Sequence, residues 1–256
     1  MARLLCLLAT GLLAPALFAQ QVPVVAAAAD LKFALEDIAA TFQADSGQRV
    51  KLSFGSSGTF ATQIRNGAPY AMYLSADEDY VLQLHKDGYT RDAGTLYAIG
   101  RIVLMAPPSS ELAVDGELKG LAEALRAGRI ARFAIANPEH APYGRRAEEA
   151  LRHAGLWDAI RPKLVFGENV SQAAQFATSG SAAGGIIALS LARAPQMQDQ
   201  GRYALIPAGW HEPLKQRMVL LKRADATAES FYRYLQAPAA RSVMRRYGFV
   251  LPDEAD

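Results

Sequence analysis

The 256-residue sequence predicts an α/β protein, and three observations lead to this class. Short β-prone runs alternate with segments whose apolar residues recur at helical spacing, as in proteins with a parallel-rich sheet. Glycines and prolines stand where many of these segments end, as expected of the turns between them. Hydrophobic residues make up 51% of the chain and charged residues 20%, so it can bury a substantial core in one large or two modest domains.

The N-terminal residues have the composition of a secretory signal peptide. Arg3 precedes an apolar run over residues 4–18, and small and polar residues follow this run. The run is shorter than the roughly 20 apolar residues that span a membrane. We therefore expect residues 1–19 to be removed during export to the periplasm, with Ala16 as an alternative cleavage point. Cys6, the only cysteine, would leave with this segment.

Charge and motif content exclude several classes of function. The formal net charge is +2 and no basic run with interleaved aromatic residues occurs, so nucleic acid is not an expected partner. The four histidines are scattered and have no partner cysteine, so we expect no dedicated cation site. The sequence also lacks a Gly-x-Ser-x-Gly motif and a pair of carboxylates spaced for acid–base chemistry. We therefore expect a protein that is not an enzyme.

The first unit, over residues 22–35, is predicted to be a strand, a tight turn and a helix. An apolar run ends at Asp30, and the apolar residues that follow recur at the spacing of one helical face. Asp30 is expected to be the N-cap of this helix, with its carboxylate accepting from the backbone N–H groups of the first turn. The N-terminus of the helix is a candidate anion site, because its N–H groups and its dipole favour negative charge.

Two further strand–helix units are predicted in the first half of the chain. Their strands cover residues 49–54 and 69–75, and their helices cover residues 60–66 and 77–86. The loop after the first of these strands, Gly55-Ser56-Ser57-Gly58-Thr59, offers hydroxyl and backbone N–H donors to a ligand. It is not a phosphate-binding P-loop, because no lysine follows the second glycine.

Residues 97–105 form a β-prone run long enough to leave one sheet and enter another, so we place a domain crossover there. Beyond the run, strands are predicted at residues 133–136, 163–166, 184–190, 203–206 and 217–221. Helices are predicted at residues 117–127, 145–154, 172–178 and 226–246, the last interrupted around Pro238. The final strand returns the chain toward the first domain.

A loop that leads into a helix recurs after four of the predicted strands. The four junctions are Ala29-Asp30, Ser56-Ser57, Tyr143-Gly144 and Asn169-Val170. In open α/β sheets, junctions of this kind line the crevice at the carboxyl ends of the strands. Two junctions from each half of the chain would surround a small anion with backbone N–H donors and hydroxyls.

Several short segments, taken in this order, carry a resemblance to a known family. They are Ala26-Ala27-Ala28-Ala29-Asp30-Leu31, Phe54-Gly55-Ser56-Ser57-Gly58, Gly67-Ala68-Pro69, Ser75-Ala76-Asp77, Asn137-Pro138-Glu139-His140-Ala141-Pro142-Tyr143-Gly144, Glu168-Asn169-Val170 and Arg246-Tyr247-Gly248-Phe249. With these segments the chain closely resembles the periplasmic molybdate-binding proteins of ABC transporters. The resemblance covers nearly the whole mature chain.

The resemblance implies the two-domain type II fold of periplasmic binding proteins, which is hinged and holds its ligand in the interdomain cleft. Domain I would hold residues 20–99 and 212–256, and domain II would hold residues 100–211. The protein would capture molybdate, and also tungstate, for an ABC importer whose membrane permease is its partner. It would act as a monomer without a cofactor. The alternatives are another oxyanion or a small organic acid as ligand, and a periplasmic enzyme on the same fold.

The resemblance also implies which residues bind the oxyanion. Ser57 would donate through its hydroxyl and its backbone N–H, whereas Tyr143 and Val170 would donate through their backbone N–H groups. Molybdenum would be held only as molybdate, through these same residues. Two alternatives stay open, with Tyr143 as a surface aromatic residue and Val170 as a core residue that begins a helix.

Asp30 stands at a fourth ligand position, with Ala29 and Ser56 as secondary contacts. The better-known family pattern has a hydroxyl residue where this chain has Asp30, and some members have a ligand-binding tyrosine where it has Ala188. The family varies at the second position. At the first position, an ionised carboxylate about 4 Å from a divalent anion would repel it by roughly 8 kcal/mol at an effective dielectric constant of 20.

Three arrangements would avoid this repulsion. The Asp30 side chain turns away, to cap its helix or to pair with Lys32, and leaves only its backbone N–H in the site. Alternatively, the carboxyl is protonated or shares a proton with the oxyanion. In the third arrangement, its oxygen binds the central metal atom directly. The first arrangement is the expected one.

Overall fold

The computed structural model describes residues 22–254, so the signal peptide predicted for residues 1–19 lies outside the described part of the chain. Ten strands occur within the described residues. They are β1 (Val24–Ala28), β2 (Lys51–Gly55), β3 (Tyr70–Ser75), β4 (Thr95–Gly100), β5 (Ile102–Ala106), β6 (Phe133–Ala136), β7 (Leu164–Gly167), β8 (Gly185–Ala188), β9 (Arg202–Leu205) and β10 (Leu214–Leu220).

Helices separate most of these strands. They are α1 (Lys32–Ser46), α2 (Ser57–Arg65), α3 (Glu78–Lys86), α4 (Lys119–Arg126), α5 (Pro142–His153), α6 (Trp157–Ile160), α7 (Val170–Thr178), α8 (Leu189–Ala192), α9 (Ala226–Tyr234) and α10 (Pro238–Arg246). A short 3-10 helix, Ala29–Leu31, joins β1 to α1. Among the described residues, none of the helices combines the length and the apolar character needed to cross a membrane.

The strands form two five-stranded mixed sheets, which confirms the α/β class and the two-domain architecture. The strand order is β2-β1-β3-β10-β4 in one sheet and β7-β6-β8-β5-β9 in the other. We call the first sheet with its flanking helices lobe I, and the second sheet with its helices lobe II. In lobe I, β1 runs parallel to β2 and β3, whereas β10 runs antiparallel to β3 and β4. The residue limits given above for the two domains stay a prediction.

Apolar side chains cover both faces of each sheet. Successive residues of a strand point to opposite faces, so in β1 Val25 packs with Leu35 on one face and Ala26 packs with Phe60 on the other. In lobe II every residue of β5, Ile102–Ala106, is buried. This apolar run is typical of a strand that is covered on both sides.

The structure corrects several predicted boundaries at the sheet crossings. The run at 97–105 does leave one sheet and enter the other, as predicted, but it consists of two strands, β4 and β5, separated at Arg101. The strand predicted at 184–190 ends at Ala188, where α8 begins. The return strand begins at Leu214, earlier than the predicted residue 217, because β10 also pairs with β4 through Leu214 and Gln216.

Three helices begin earlier than predicted, and all three starts matter for the site. Helix α2 starts at Ser57 and not at residue 60, since the Ser56 side chain caps it. Helix α5 starts at Pro142 and not at residue 145, since proline fits the first helical position, where its missing N–H is not needed. Helix α7 starts at Val170 and not at residue 172, because the Asn169 side chain caps it by accepting a hydrogen bond from the Gln172 N–H at 3.1 Å.

Candidate functional site

A small cavity lies between the loops of lobe I and those of lobe II. The six residues predicted as ligand contacts all line it: Ala29, Asp30, Ser56, Ser57, Tyr143 and Val170. The first four come from the ends of β1 and β2, and the last two come from the starts of α5 and α7. The four junctions that follow separate strands therefore meet at one place.

Ser57 is the first residue of α2 and is completely buried. Its hydroxyl oxygen accepts a hydrogen bond from the backbone N–H of Ala76 at 3.0 Å. A hydroxyl that accepts in this way still has its own hydrogen to donate. As the first helical residue, Ser57 also has a backbone N–H without an acceptor inside its helix. It therefore offers two donors at the cavity wall.

Tyr143 and Val170 each stand in the first turn of a helix, where backbone N–H groups have no acceptor within the helix. Tyr143 is only 3% exposed and Val170 only 4%, so the surface position considered for Tyr143 was wrong. Both residues line the cavity with their helix N-termini. Val170 also packs in the lobe II core, so this residue is both a core residue and part of the cavity wall.

The cavity is a meeting point of helix N-termini without cationic side chains. Helices α2, α5 and α7 each contribute their first turn, where the helix dipole is positive. No lysine, arginine or histidine side chain lines the cavity within residues 22–254. Stabilisation of an anion here depends on oriented neutral donors, which suit a small oxyanion.

Asp30 does not cap a helix, and the capping prediction was wrong. The residue lies inside the 3-10 helix Ala29–Leu31, whose N-cap is Ala28, and its carboxylate makes no capping hydrogen bond. An ion pair with Lys32 is also absent from the salt bridges of the described residues. Asp30 follows the buried strand β1 and is itself only 1% exposed. Its side chain is therefore held by contacts with residues that are distant in the sequence.

The Asp30 carboxylate belongs to a buried cluster that spans the two lobes. Its Oδ2 accepts hydrogen bonds from Gln216 Nε2 of β10 at 2.7 Å and from the Tyr143 hydroxyl of α5 at 3.0 Å. Gln216 in turn accepts from the Tyr97 hydroxyl at 2.7 Å. The other carboxylate oxygen, Asp30 Oδ1, is buried and has no hydrogen-bond partner in the described structure.

Gln216 and Tyr97 were not predicted as site residues. The available signal was the pattern of β10, in which Gln216 shares a strand face with the buried residues Leu214 and Met218. A completely buried glutamine among apolar neighbours needs polar partners, so its position between them points to an internal cluster. The predicted strand began after Gln216, and this pattern was therefore cut off.

Burial controls the protonation of the cluster. It raises the pKa of Asp30 to about 6, and hydrogen bonds from Gln216 and Tyr143, with the nearby backbone N–H groups of Asp30 and Leu31, partly oppose it. Burial also raises the pKa of Tyr143 well above its ordinary value, and the Asp30 charge adds to this effect. Tyr143 is therefore a neutral hydrogen-bond donor at physiological pH.

The cleft between the lobes is closed. The backbone N–H of Gly58 donates to the carbonyl of His140 at 2.9 Å, and the Ser56 hydroxyl lies 2.9 Å from Nδ1 of the same histidine. At the rim, Arg145 of lobe II donates to the Tyr80 hydroxyl of lobe I. The Ser56 hydroxyl also lies 2.7 Å from the Thr59 hydroxyl, so its contacts serve the closed form and the cap of α2.

Within the described residues, neither Ala188 nor a metal-binding group of side chains lies at the cavity. Ala188 is completely buried at the end of β8 and does not line the cavity. Beside it, Ser190 of α8 donates from its hydroxyl to the backbone carbonyl of Asp30 at 2.8 Å. Within the described residues, His, Cys, Asp and Glu side chains form no group of three placed to hold a metal ion.

Comparisons with known proteins agree with this geometry. Residues 23–250 match a family described as bacterial extracellular solute-binding proteins. The chain is 35% identical over 254 residues to the molybdate-binding protein ModA of Azotobacter vinelandii, with 98% of each chain covered. It is 34% identical over 230 residues to ModA of Rhodobacter capsulatus, with 89% of this chain and 87% of that protein covered.

A solved structure extends the similarity to three dimensions. The periplasmic molybdate-binding protein of Azotobacter vinelandii superimposes with a TM-score of 0.81 at 31% sequence identity. The match covers 90% of this chain and 99% of that one. The resemblance stated from the short sequence segments is thereby confirmed.

Proposed function

The chain belongs to the family of bacterial extracellular solute-binding proteins, and from this premise we propose that it captures molybdate in the periplasm for an ABC importer. The observation that carries the proposal is the convergence of three helix N-termini on one closed cavity without a cationic side chain. Neutral donors of this kind bind a fully ionised oxyanion without placing a counter-charge beside it. The relatives of Azotobacter vinelandii and Rhodobacter capsulatus carry the same ligand in their names.

The roles of the site residues follow from their donors. Ser57 donates from its hydroxyl and its backbone N–H, and Tyr143 and Val170 donate from their backbone N–H groups. Asp30 faces the ligand with its carboxyl, while Ala29 and Ser56 shape the wall. Tungstate has the same charge and tetrahedral shape as molybdate, so we include it as a second ligand. Discrimination against sulfate rests on the size of the cavity, because the donors would suit either anion.

The transport role sets the remaining parts of the proposal. The mature chain, without residues 1–19, works as a monomer and delivers its ligand to a membrane permease. Domain I (residues 20–99 and 212–256) and domain II (residues 100–211) open and close about the β4–β5 crossing and the return into β10. The relatives are solute-binding proteins, so we infer a binding role and not an enzyme. The Ser56 hydroxyl beside His140 Nδ1 serves the cap of α2 and the contact between the lobes.

Asp30 supports a second candidate within the binding class. Its carboxylate is an acceptor, so another oxyanion that carries a proton, or a small organic acid, would also find a partner there. Such a ligand would use the same helix N-termini. The donor set favours an acidic ligand in either case, and the protonation of Asp30 would distinguish the two candidates.

Isothermal titration calorimetry on the mature protein tests the proposal. Molybdate, tungstate, sulfate and phosphate are titrated separately into protein that has been dialysed free of oxyanions. We expect tight one-to-one binding of molybdate and tungstate and much weaker binding of sulfate. Silence toward the first two anions would overturn the molybdate assignment, and binding of phosphate or a carboxylic acid alone would favour the second candidate.

A further inference from the structure

Asp30 places a carboxyl group in a cavity that also presents the donors of Ser57 and of the first turns of α5 and α7. Its Oδ2 already accepts from Gln216 and Tyr143, so that oxygen is satisfied. Its Oδ1 is buried without a hydrogen-bond partner in the described structure, although the residue lines the cavity. A buried polar atom without a partner is unfavourable, so a partner at Oδ1 is expected when the site is filled.

A fully ionised oxyanion cannot be the hydrogen-bond partner of Oδ1 while the Asp30 carboxyl group is also ionised. Its oxygens are acceptors, as is a carboxylate oxygen, and neither group then has a hydrogen to donate. One proton between the two oxygens converts this repulsion into a short, charge-assisted hydrogen bond. An ionised Asp30 and a fully deprotonated ligand together lack this proton, so the site needs one additional proton when the ligand binds.

We propose that Asp30 and the bound oxyanion share one proton, which is taken up from water when the ligand arrives as a fully deprotonated dianion. The inference rests on the proposed function and names the class of ligand that the site prefers as pH rises, namely oxyanions that bring their own proton. In the binding step an ionised Asp30, a dianion and one proton from solvent give the complex. No bond between heavy atoms forms or breaks.

The groups packed around Asp30 do not stabilise its ionised form with a charge. Helix α5 and strand β4 present Tyr143 and Tyr97, and burial raises the pKa of both phenols well above the ordinary value. Strand β10 presents the amide of Gln216, and α8 presents the hydroxyl of Ser190, which donates to the Asp30 backbone carbonyl. These four side chains are neutral at physiological pH.

The remaining neighbours also lack a cation directed at the carboxyl group. Helices α2 and α7 approach the cavity with Ser57 and Val170, which carry no charge. Lys32, the nearest basic residue along the chain, has its ammonium group over the Phe33 ring, and no salt bridge of the described residues joins it to Asp30. Protonation is therefore the available way to remove the charge of Asp30.

The titration behaviour of the carboxyl group agrees with this geometry. Burial already raises the pKa of Asp30 to about 6. A dianion beside the group disfavours its ionised form and raises the pKa further, so the complex holds the proton at neutral pH. Because the complex binds one proton more than the separated partners, the affinity for a deprotonated dianion decreases by about tenfold for each pH unit above about 6.

Calorimetry of proton uptake tests the inference on the mature protein. Molybdate is titrated at about pH 7.5 in two buffers that differ in their enthalpy of ionisation, and the difference in observed heat gives the number of protons taken up. We expect about one proton for molybdate. Phosphate, which is largely hydrogenphosphate at this pH, brings its own proton, so any phosphate that binds should show much less uptake.

Asp30→Asn is the informative variant. Its amide oxygen can accept from Gln216 and Tyr143 as Oδ2 does, and its NH2 group presents a permanent hydrogen where the shared proton lies. We expect this variant to bind molybdate with proton uptake near zero and with an affinity that no longer decreases between about pH 6.5 and about pH 8.5. The matched control is Asp225→Asn, in the N-cap of α9, where asparagine caps equally well. The control should keep the proton uptake of the parent.

The outcomes separate this inference from the proposed function. Molybdate binding by the parent without proton uptake would overturn the shared proton and leave the transport role intact. Unchanged uptake in Asp30→Asn would do the same, by assigning the proton to another group. If the parent binds none of the oxyanions, the proposed function fails and the inference fails with it. The parent measurement needs no variant, so misfolding of Asp30→Asn would not prevent a decision.

Discussion

Ser57 and Asp30 line the same cavity but make opposite demands on an anion. The Ser57 hydroxyl is oriented by the Ala76 N–H, which leaves its hydrogen for a ligand oxygen. The Asp30 carboxyl opposes a ligand oxygen unless a proton lies between them. In the proposed binding mode, affinity would therefore combine donors that act at any pH with one acceptor whose effect depends on pH.

Replacement of Ser57 by alanine removes a buried donor and leaves the backbone of α2 in place. We expect Ser57→Ala to weaken molybdate binding by at least ~1 kcal/mol, because the ligand oxygen and the Ala76 N–H both lose a partner. Calorimetry against the parent measures the change. Ser110→Ala, which removes a part-buried hydroxyl bonded to the Ala183 carbonyl outside the cavity, is the control. Unchanged affinity in Ser57→Ala would remove Ser57 from the ligand contacts.

The junctions that contain Ser57, Tyr143 and Val170 could be predicted from sequence because each lies between a strand and a helix, and the family resemblance singled out these residues within them. That information is local. The orientation of Asp30 could not be predicted, since its side chain is held by Tyr143 and by Gln216, which is 186 residues further along the chain. Local propensity favoured a helix cap at Asp30, and tertiary hydrogen bonds outweighed that preference.

At the level of elements, helix α2 connects the site to the closure of the cleft. Its second residue, Gly58, donates its backbone N–H to the His140 carbonyl of lobe II. A methyl group at Gly58 would lie 2.7 Å from that carbonyl oxygen and 2.8 Å from the Tyr80 hydroxyl. The helix therefore needs glycine at this position for close approach of the two lobes.

Gly58→Ala should weaken ligand binding without destabilising the free protein. The clash with the His140 carbonyl arises only when the lobes are closed, whereas the Tyr80 hydroxyl belongs to the same lobe as Gly58 and ends a side chain that can move aside. Overpacking against the carbonyl costs about 1–3 kcal/mol. We therefore expect molybdate affinity to decrease by about tenfold, while alanine is the better helix former in the open protein. Calorimetry and thermal unfolding without ligand measure the two quantities.

The control for this variant is Gly209→Ala, because a methyl group there meets no atom within 4 Å. It should leave affinity unchanged. If Gly58→Ala binds molybdate as tightly as the parent, residue 58 and His140 must lie further apart in the ligand complex than in this structure. That result would contradict the proposed role of α2 in closure.

Element starts could be predicted less well than element order. The alternation of strands and helices was visible as periodicity, but α5 and α7 begin earlier than their apolar patterns, at Pro142 and Val170. Both starts depend on single residues without a periodic signal, the proline at the first position of α5 and the Asn169 cap of α7. The break between β4 and β5 at Arg101 was hidden in the same way, because both strands are apolar and β-prone.

At the scale of the whole molecule, we expect closure of the lobes and protonation of Asp30 to be coupled. The closed form holds the carboxyl group in a buried cluster made of residues from both lobes, where its pKa is about 6. If the lobes separate, Tyr143 leaves with lobe II and water reaches the carboxyl group, so its pKa returns toward the ordinary value of 3.8. Closure therefore takes up a proton in the pH range between these two values.

The sign of the effect follows from the raised pKa in the closed form. Below about pH 3.8 the carboxyl group is protonated in both forms, and the closed form has its full stability. As pH increases through about 6 the group ionises even when buried, and the closed form loses up to about 3 kcal/mol relative to the open form. We expect the ligand-free protein to be more open at about pH 8 than at about pH 5.

Small-angle X-ray scattering of the ligand-free mature protein measures this change as a radius of gyration that increases with pH. Asp30→Asn has no ionisable group in the cluster, so its radius should stay near the closed value at both pH values. Molybdate should return the parent to the closed radius at about pH 8. The ligand and the shared proton then supply the hydrogen-bond partner that Asp30 Oδ1 lacks in the ligand-free closed form. An equal pH response in parent and Asp30→Asn would contradict the coupling and assign the opening to other titrating groups.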